Sequence, residues 1–188
     1  MLANSISRVL FVAIGLAVLL TGCTTKDFNT GRGAWNAPDY VYQPAYIKKK
    51  FYNALELMET GDDEAAAAAF EKFIDEHPNY PGAYVNLAII YDRQGRTDEA
   101  LVQLDIAMEV IPDYVLALNQ LGLIKRRQGD FTSAEDAWLR ATREEPEYPE
   151  PWYNLGVLYD LYIQDLPLAL ATYEQYQAVV TSSAENPE

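Results

Sequence analysis

Laid against itself at a shift of 34 residues, the chain repeats. Tyr84, Leu87, Tyr91, Gly95, Ala100, Leu104, Ala107 and Pro112 are followed one period on by the set Leu118, Leu121, Gly122, Gly129, Ala134, Trp138, Ala141 and Pro146. One period earlier stand Gly61, Ala66, Phe70, Phe73 and Pro78. After Pro149 come Trp152, Leu155, Gly156 and Tyr159, then, displaced by one inserted residue, Ala169, Tyr173 and Tyr176. A unit this short cannot bury a hydrophobic face alone, so stacked neighbours must supply the core. The four units run over residues 47–80, 81–114, 115–148 and 149–180.

Within a unit, the apolar spacing of i, i+3 and i+7 followed by i, i+4 and i+7 predicts two helices, A and B, with facing stripes. Small residues stand beside large ones: Ala100 and Ala134 admit a neighbouring helix closely, while Leu104 and Trp138 fill the gap that follows. Gly95 and Gly129 are placed to end helix A in a left-handed cap, and Pro78, Pro112 and Pro146 to close helix B. In the fourth unit Gln164 occupies the glycine position and Pro167 lies near the start of helix B. Proline is tolerated in a first turn, so helix B should begin near Leu166, after a turn longer than the others. Residues 181–188 read as a frayed, disordered tail.

This pattern resembles the tetratricopeptide repeat (TPR), W-x2-L-G-x2-Y followed by A-x3-F-x2-A and a proline. The resemblance covers residues 46–180 and implies an all-α solenoid of about four helix-turn-helix repeats, a right-handed superhelix whose concave face, lined by the A helices, receives protein or peptide partners. Repeat position 9 is apolar throughout: Leu55, Ile89, Leu123 and Val157. Position 5 holds Phe51, Val85, Asn119 and Tyr153. Such a column suits a groove for an extended segment or an amphipathic helix. Alternatively, a short, tightly curled array buries the same residues against itself or against the aromatic linker. Asn86, Gln120 and Asn154 stand at position 6, where the family uses an amide to hold a peptide backbone; bonding to a neighbouring helix is the structural alternative. Of the positions of the family's carboxylate clamp, Phe51, Leu55, Asn86, Leu116 and Gln120, only Asn86 fits, so an acidic C-terminal tail is not the expected ligand.

Composition narrows the function classes. The 188 residues hold 14 Lys plus Arg against 28 Asp plus Glu, a net charge of −14, which argues against nucleic acid as a partner. One His and one Cys supply neither a disulfide framework nor a Cys/His zinc cage. His77, before Pro78, has no nucleophile at a recognisable spacing and reads as an ordinary surface residue. No glycine-rich phosphate loop is present, so neither a cofactor nor an enzymatic activity is expected. Lys48, Lys49 and Lys50 open the first helix, Lys125, Arg126 and Arg127 end the third A helix, and no Lys or Arg follows Arg143. Such runs are solvated faces or, at the acidic and aromatic last repeat with Tyr162, Tyr173 and Tyr176, a second surface for a basic partner or a homodimer.

The N-terminus reads as an address. Val9–Leu20 is an unbroken apolar run too short to span a bilayer, and it leads into Leu20-Thr21-Gly22-Cys23. This resembles the lipobox of bacterial lipoproteins, which implies a signal peptide over residues 1–22 and a Cys23 that is diacylated and becomes the new N-terminus. By the same resemblance, Thr24 in place of an aspartate after the cysteine implies lipid anchorage at the periplasmic side of the outer membrane rather than the inner one. Residues 23–45 carry Gly31, Gly33, Pro38 and Pro44 and read as a tether of up to roughly 70 Å. Its aromatics Phe28, Trp35, Tyr40 and Tyr42, with Tyr46, are expected to dock on the first helix or to lie at the lipid interface. The whole reads as a membrane-anchored periplasmic adaptor or scaffold. Lipoproteins of this build include pilotins of pilus secretins, factors of outer-membrane assembly and hydrolase adaptors, and comparable repeat proteins accompany TonB-type energy transducers.

Overall fold

The structure, a computed structural model, describes residues 45–185; the expected signal peptide, Cys23 and nearly all of the tether lie outside these residues. Helices follow one another as α1 (Ala45–Glu59), α2 (Asp63–Glu76), α3 (Pro81–Arg93), α4 (Thr97–Val110), α5 (Val115–Arg127), α6 (Phe131–Glu144), α7 (Pro149–Val157) and α8 (Leu166–Glu185). A π-helical segment, Leu158–Ile163, continues α7. Each odd helix pairs with the even helix after it, each even helix packs on the next odd one, and consecutive odd helices touch. This is a solenoid of four hairpins with the A helices α1, α3, α5 and α7 side by side.

The hairpins close through size complementarity. Position 8 of the repeat is Ala54, Ala88, Gly122 and Gly156, and across the hairpin stand Phe70, Leu104, Trp138 and Tyr173. The first three of these large side chains are fully buried. A methyl group added at Gly122 would lie 2.5 Å from Trp138 Nε1, and one at Gly156 2.5 Å from Tyr173 Cδ1. Both distances are far inside carbon contact, so the aromatic rings lie directly on the glycine backbone.

Successive repeats are joined by polar contacts as well. Tyr84 donates its hydroxyl to the Pro78 carbonyl and Trp152 its indole N–H to the Pro146 carbonyl, both at 2.9 Å. These residues share repeat position 4, and their partners are the prolines that close the preceding unit. Tyr91 and Tyr159, both at position 11, donate to Glu71 and Glu135 on the preceding B helix at 2.7 and 2.6 Å.

The A–B turns show where sequence and structure part. Gly61, Gly95 and Gly129 adopt φ of 81°, 76° and 79°, as the cap pattern requires. The amide after each glycine bonds back five residues, Asp62 to Leu57, Arg96 to Tyr91 and Asp130 to Lys125. In the fourth repeat the bond spans six residues, from Asp165 to Tyr159. The inserted residue is therefore absorbed inside the helix as a π turn, and the turn itself, Gln164–Asp165, is not longer than the others as the sequence pattern predicts. Helix B does start at Leu166, with the Asp165 carboxylate accepting from the Leu168 amide at 3.1 Å. The tail also differs from expectation: α8 runs on to Glu185, and the Thr181 and Ser183 hydroxyls donate to the Gln177 and Val179 carbonyls. Residues 186–188 lie outside the described part.

Gln164 keeps the left-handed conformation, φ 63°, without a glycine. Replacing it with Gly should raise the stability of the fold by about 1 kcal/mol, read as a higher urea midpoint with an unchanged m-value.

Candidate functional site

The concave columns divide into a closed half and a half-open one. At position 5, Phe51 and Val85 are core residues, 6% and 2% exposed. Phe51 lies edge-on to Phe70 and Phe73 at 5.7 and 5.5 Å, and its ring lies beside Gly82 of the next A helix. These two residues therefore do not line a groove as the sequence pattern places them; the array buries them against itself. Further along the column, Asn119 is half-buried and Tyr153 is 43% exposed. At position 9, Leu55, Ile89, Leu123 and Val157 are all half-buried, neither core nor open surface.

Of the position-6 amides, Asn86 and Asn154 are buried and Gln120 is half-buried. Asn86 is buried, and its Nδ2 donates to the Gly82 carbonyl one turn back in its own helix at 2.7 Å, a contact foreseen neither for peptide binding nor for helix-to-helix bonding. Asn154 donates across to Asn119 Oδ1 at 2.9 Å, linking α7 to α5, with half-buried Gln120 at the equivalent place on α5. An amide group has two donor hydrogens and an acceptor oxygen, so the Asn119–Asn154 pair retains capacity for a peptide group. The Asn119 carbonyl is held by Trp138 Nε1 at 3.2 Å, which fixes the backbone beneath the pair.

Of the expected second surface, two tyrosines join the groove. Tyr153 on α7 meets Tyr173 and Tyr176 on α8 at ring distances of 6.2 and 5.4 Å. Tyr162 belongs elsewhere: it packs on Phe131 at 5.1 Å, and the Arg126 guanidinium lies near both Tyr162 and Trp138. The sequence pattern does not single out Tyr153 as the link between the two surfaces, although its place one repeat after Asn119 and twenty residues before Tyr173 is a signal that could have found it. His77 differs from the expected surface residue. It is half-buried at the C-cap of α2, with its ring 4.9 Å from Phe73.

Several cations are engaged with carboxylates. Arg93 reaches Asp63 at 3.4 Å, Arg127 pairs with Asp92, Arg140 with Asp113 and Lys50 with Glu76. Arg127 and Arg93 thus join consecutive A-helix ends to acids of the preceding repeat. Among the described residues no cluster of three His, Cys, Asp or Glu side chains could hold a metal, and no helix is long and apolar enough to cross a membrane.

Four helical hairpins at a constant period, interlocked through small and large residues, define the class: a helical repeat protein. Two models of the tetratricopeptide repeat match the chain, over residues 57–121 and 119–187, and the protein belongs to that family. Among curated proteins it is similar to a UDP-N-acetylglucosamine–peptide N-acetylglucosaminyltransferase of Giardia intestinalis, 37% identical over 76 residues, covering 39% of this chain and 5% of the transferase. A photosystem I assembly protein Ycf3 of Synechococcus is 28% identical over 93 residues, covering 50% of this chain and 42% of that protein. The chain thus spans less than half the length of these relatives. Among solved structures, MamA superposes with a TM-score of 0.63 at 17% identity, over 77% of this chain and 84% of that one. The pilF protein of Pseudomonas aeruginosa does so with 0.64 at 19% identity, over 71% and 60%.

The graded burial of the columns separates two substitutions. Leu123→Glu should cost about 1–2 kcal/mol, whereas Val85→Glu, which strands a carboxylate in the core, should cost several, measured by thermal melts. Burial, with the Asp160 charge adding to it, pushes the Tyr173 phenol up to about 12, and burial also raises Tyr148 and Tyr159. The unfolded chain ionises near pH 10, before these folded phenols do. These phenols should therefore leave stability unaffected below pH 10 and lower it as the pH rises above 10, and Tyr173→Phe should reduce that fall.

Proposed function

We propose that this protein is a lipid-anchored adaptor of the bacterial envelope, held through Cys23 at the periplasmic side of the outer membrane and binding a partner protein on the C-terminal half of its concave face. The observation that carries the binding role is the strip of Asn119, Gln120, Leu123, Tyr153, Asn154 and Val157. It combines an apolar floor with paired amides and an exposed aromatic edge. Apolar pockets with a few polar anchors suit an extended segment or the apolar stripe of a helix. The N-terminal half, closed by Phe51 and Val85, serves to support that strip. The anchor and the compartment rest on the motif Leu20-Thr21-Gly22-Cys23 and on Thr24. Two acyl chains hold a protein on a membrane stably, since each buried methylene contributes about 0.8 kcal/mol. Within the envelope, the adaptor would serve assembly or transport, in the manner of a secretin pilotin, an outer-membrane assembly factor or a hydrolase adaptor. The role is binding without chemistry, so His77→Ala should leave partner capture unchanged.

Palmitate labelling should mark the wild type and not Cys23→Ala, and the labelled protein should sediment with outer membrane in a sucrose gradient. Unlabelled wild type would remove the anchor, and recovery with inner membrane would overturn the reading of Thr24. A photoreactive residue at Leu123 or Val157 should give a partner adduct in cells, and one at Val102, on the exposed side of α4, should not. Adducts at Val102 alone would place binding on the other face.

A further inference from the structure

Among the described residues, nothing covers one stripe of the last helix as the next A helix covers its counterparts. Leu166, Leu170, Tyr173, Gln177 and Val180 recur at spacings of four and three along α8. In the second repeat the same positions are Thr97, Leu101, Leu104, Met108 and Ile111; in the third, Phe131, Glu135, Trp138, Thr142 and Glu145. All ten of these residues are buried or half-buried, in B helices that the next A helix packs upon. Within the stripe on α8 Tyr173 alone is half-buried: Leu166 is 65% exposed, Leu170 61% and Val180 41%, and Gln177 is exposed. Alternating four and three is also the spacing of a helix-to-helix seam.

We propose that this stripe is covered by a second copy of the same stripe, forming a closed antiparallel dimer through α8. Three features favour that occupant. The first is the opposite end of the array, which is sealed. Where interior A helices present buried Ile90, Ile124 and Leu158, α1 presents exposed Glu56, and Lys49, Lys50 and Asn53 occupy the neighbouring back-facing positions. Head-to-tail stacking would press Leu170 and Val180 onto these polar and charged groups and desolvate them, so the face is directed to itself rather than to an open chain. The second is charge. Between Leu166 and Ala184 the only charged residue is Glu174, so two copies meet without repulsion despite the net charge of −14. The third is register. In an antiparallel pair with its twofold axis at the level of residue 175, Leu170 lies opposite the partner's Val180, and Tyr173 opposite the partner's Gln177, a phenol beside an amide. With 20 residues, α8 is about 30 Å long, enough for the whole stripe to pair along its length.

Sedimentation equilibrium of the full chain in density-matched detergent tests this independently of the groove. The wild type should be a dimer at micromolar concentration. Leu170→Glu and Val180→Lys should each weaken association at least tenfold, with helical circular dichroism unchanged. Mixing these two variants should restore dimers, because the introduced carboxylate and ammonium face each other only in the antiparallel register. A monomeric wild type up to tens of micromolar would overturn the proposal and leave the stripe to the chain's own N-terminal segment or to another protein. Open-ended growth with concentration would also overturn it, as would a wild-type dimer that both substitutions leave intact or a mixture that stays monomeric.

Discussion

Every hairpin of this protein depends on one contact, a small residue on helix A under a large one on helix B. At Gly122 and Gly156 the contact is closest, since the rings of Trp138 and Tyr173 occupy the space a side chain would need. Close approach of the two backbones sets the spacing within the unit, and the 34-residue period then carries it along the array. The Tyr84 and Trp152 bonds to Pro78 and Pro146 fasten each unit to the one before it. Because a repeat contacts only its neighbours, a change at one interlock is felt locally first.

The same packing grades the concave face. Where position 5 holds Phe51 and Val85, the column closes into the core that spans the first repeats. Where it holds Asn119 and Tyr153, the column stays partly open beside the amide pair that links α5 to α7. The π turn at Leu158–Ile163 lengthens the last A helix without shifting helix B, so Tyr173 still reaches Gly156 and Tyr153 meets the tyrosines of α8. Binding surface and terminal stripe are thus both consequences of which residues a repeat leaves uncovered.

Period, helix order, the left-handed glycine caps and the start of α8 at Leu166 are legible in the sequence because local chemistry, which the residues themselves carry, decides them. Three features are not. The inserted residue near Gln164 could lengthen either the turn or the helix, and the choice is made by the hydrogen bond from Asp165 to Tyr159. Continuation of α8 beyond Val180 rests on a run of residues that neither caps nor breaks a helix. The packing of Phe51 on Tyr80, at the end of its own unit, and the turn-back of Asn86 to Gly82 are contacts that a column of equivalent positions does not display.

The interlock itself is most directly tested by a double-mutant cycle at Gly122 and Trp138, read in urea. The second repeat solves the same packing problem with Ala88 and Leu104, both fully buried. Gly122→Ala alone should therefore destabilise the fold by roughly 2–3 kcal/mol and Trp138→Leu alone by a comparable amount, through overpacking in one case and a cavity in the other. Combined, they copy the second repeat, and the double variant should be at least about 1 kcal/mol more stable than the two losses added together predict. Additive losses would show that the indole and the glycine act separately, and would contradict the account that pairing of small and large residues holds each hairpin closed.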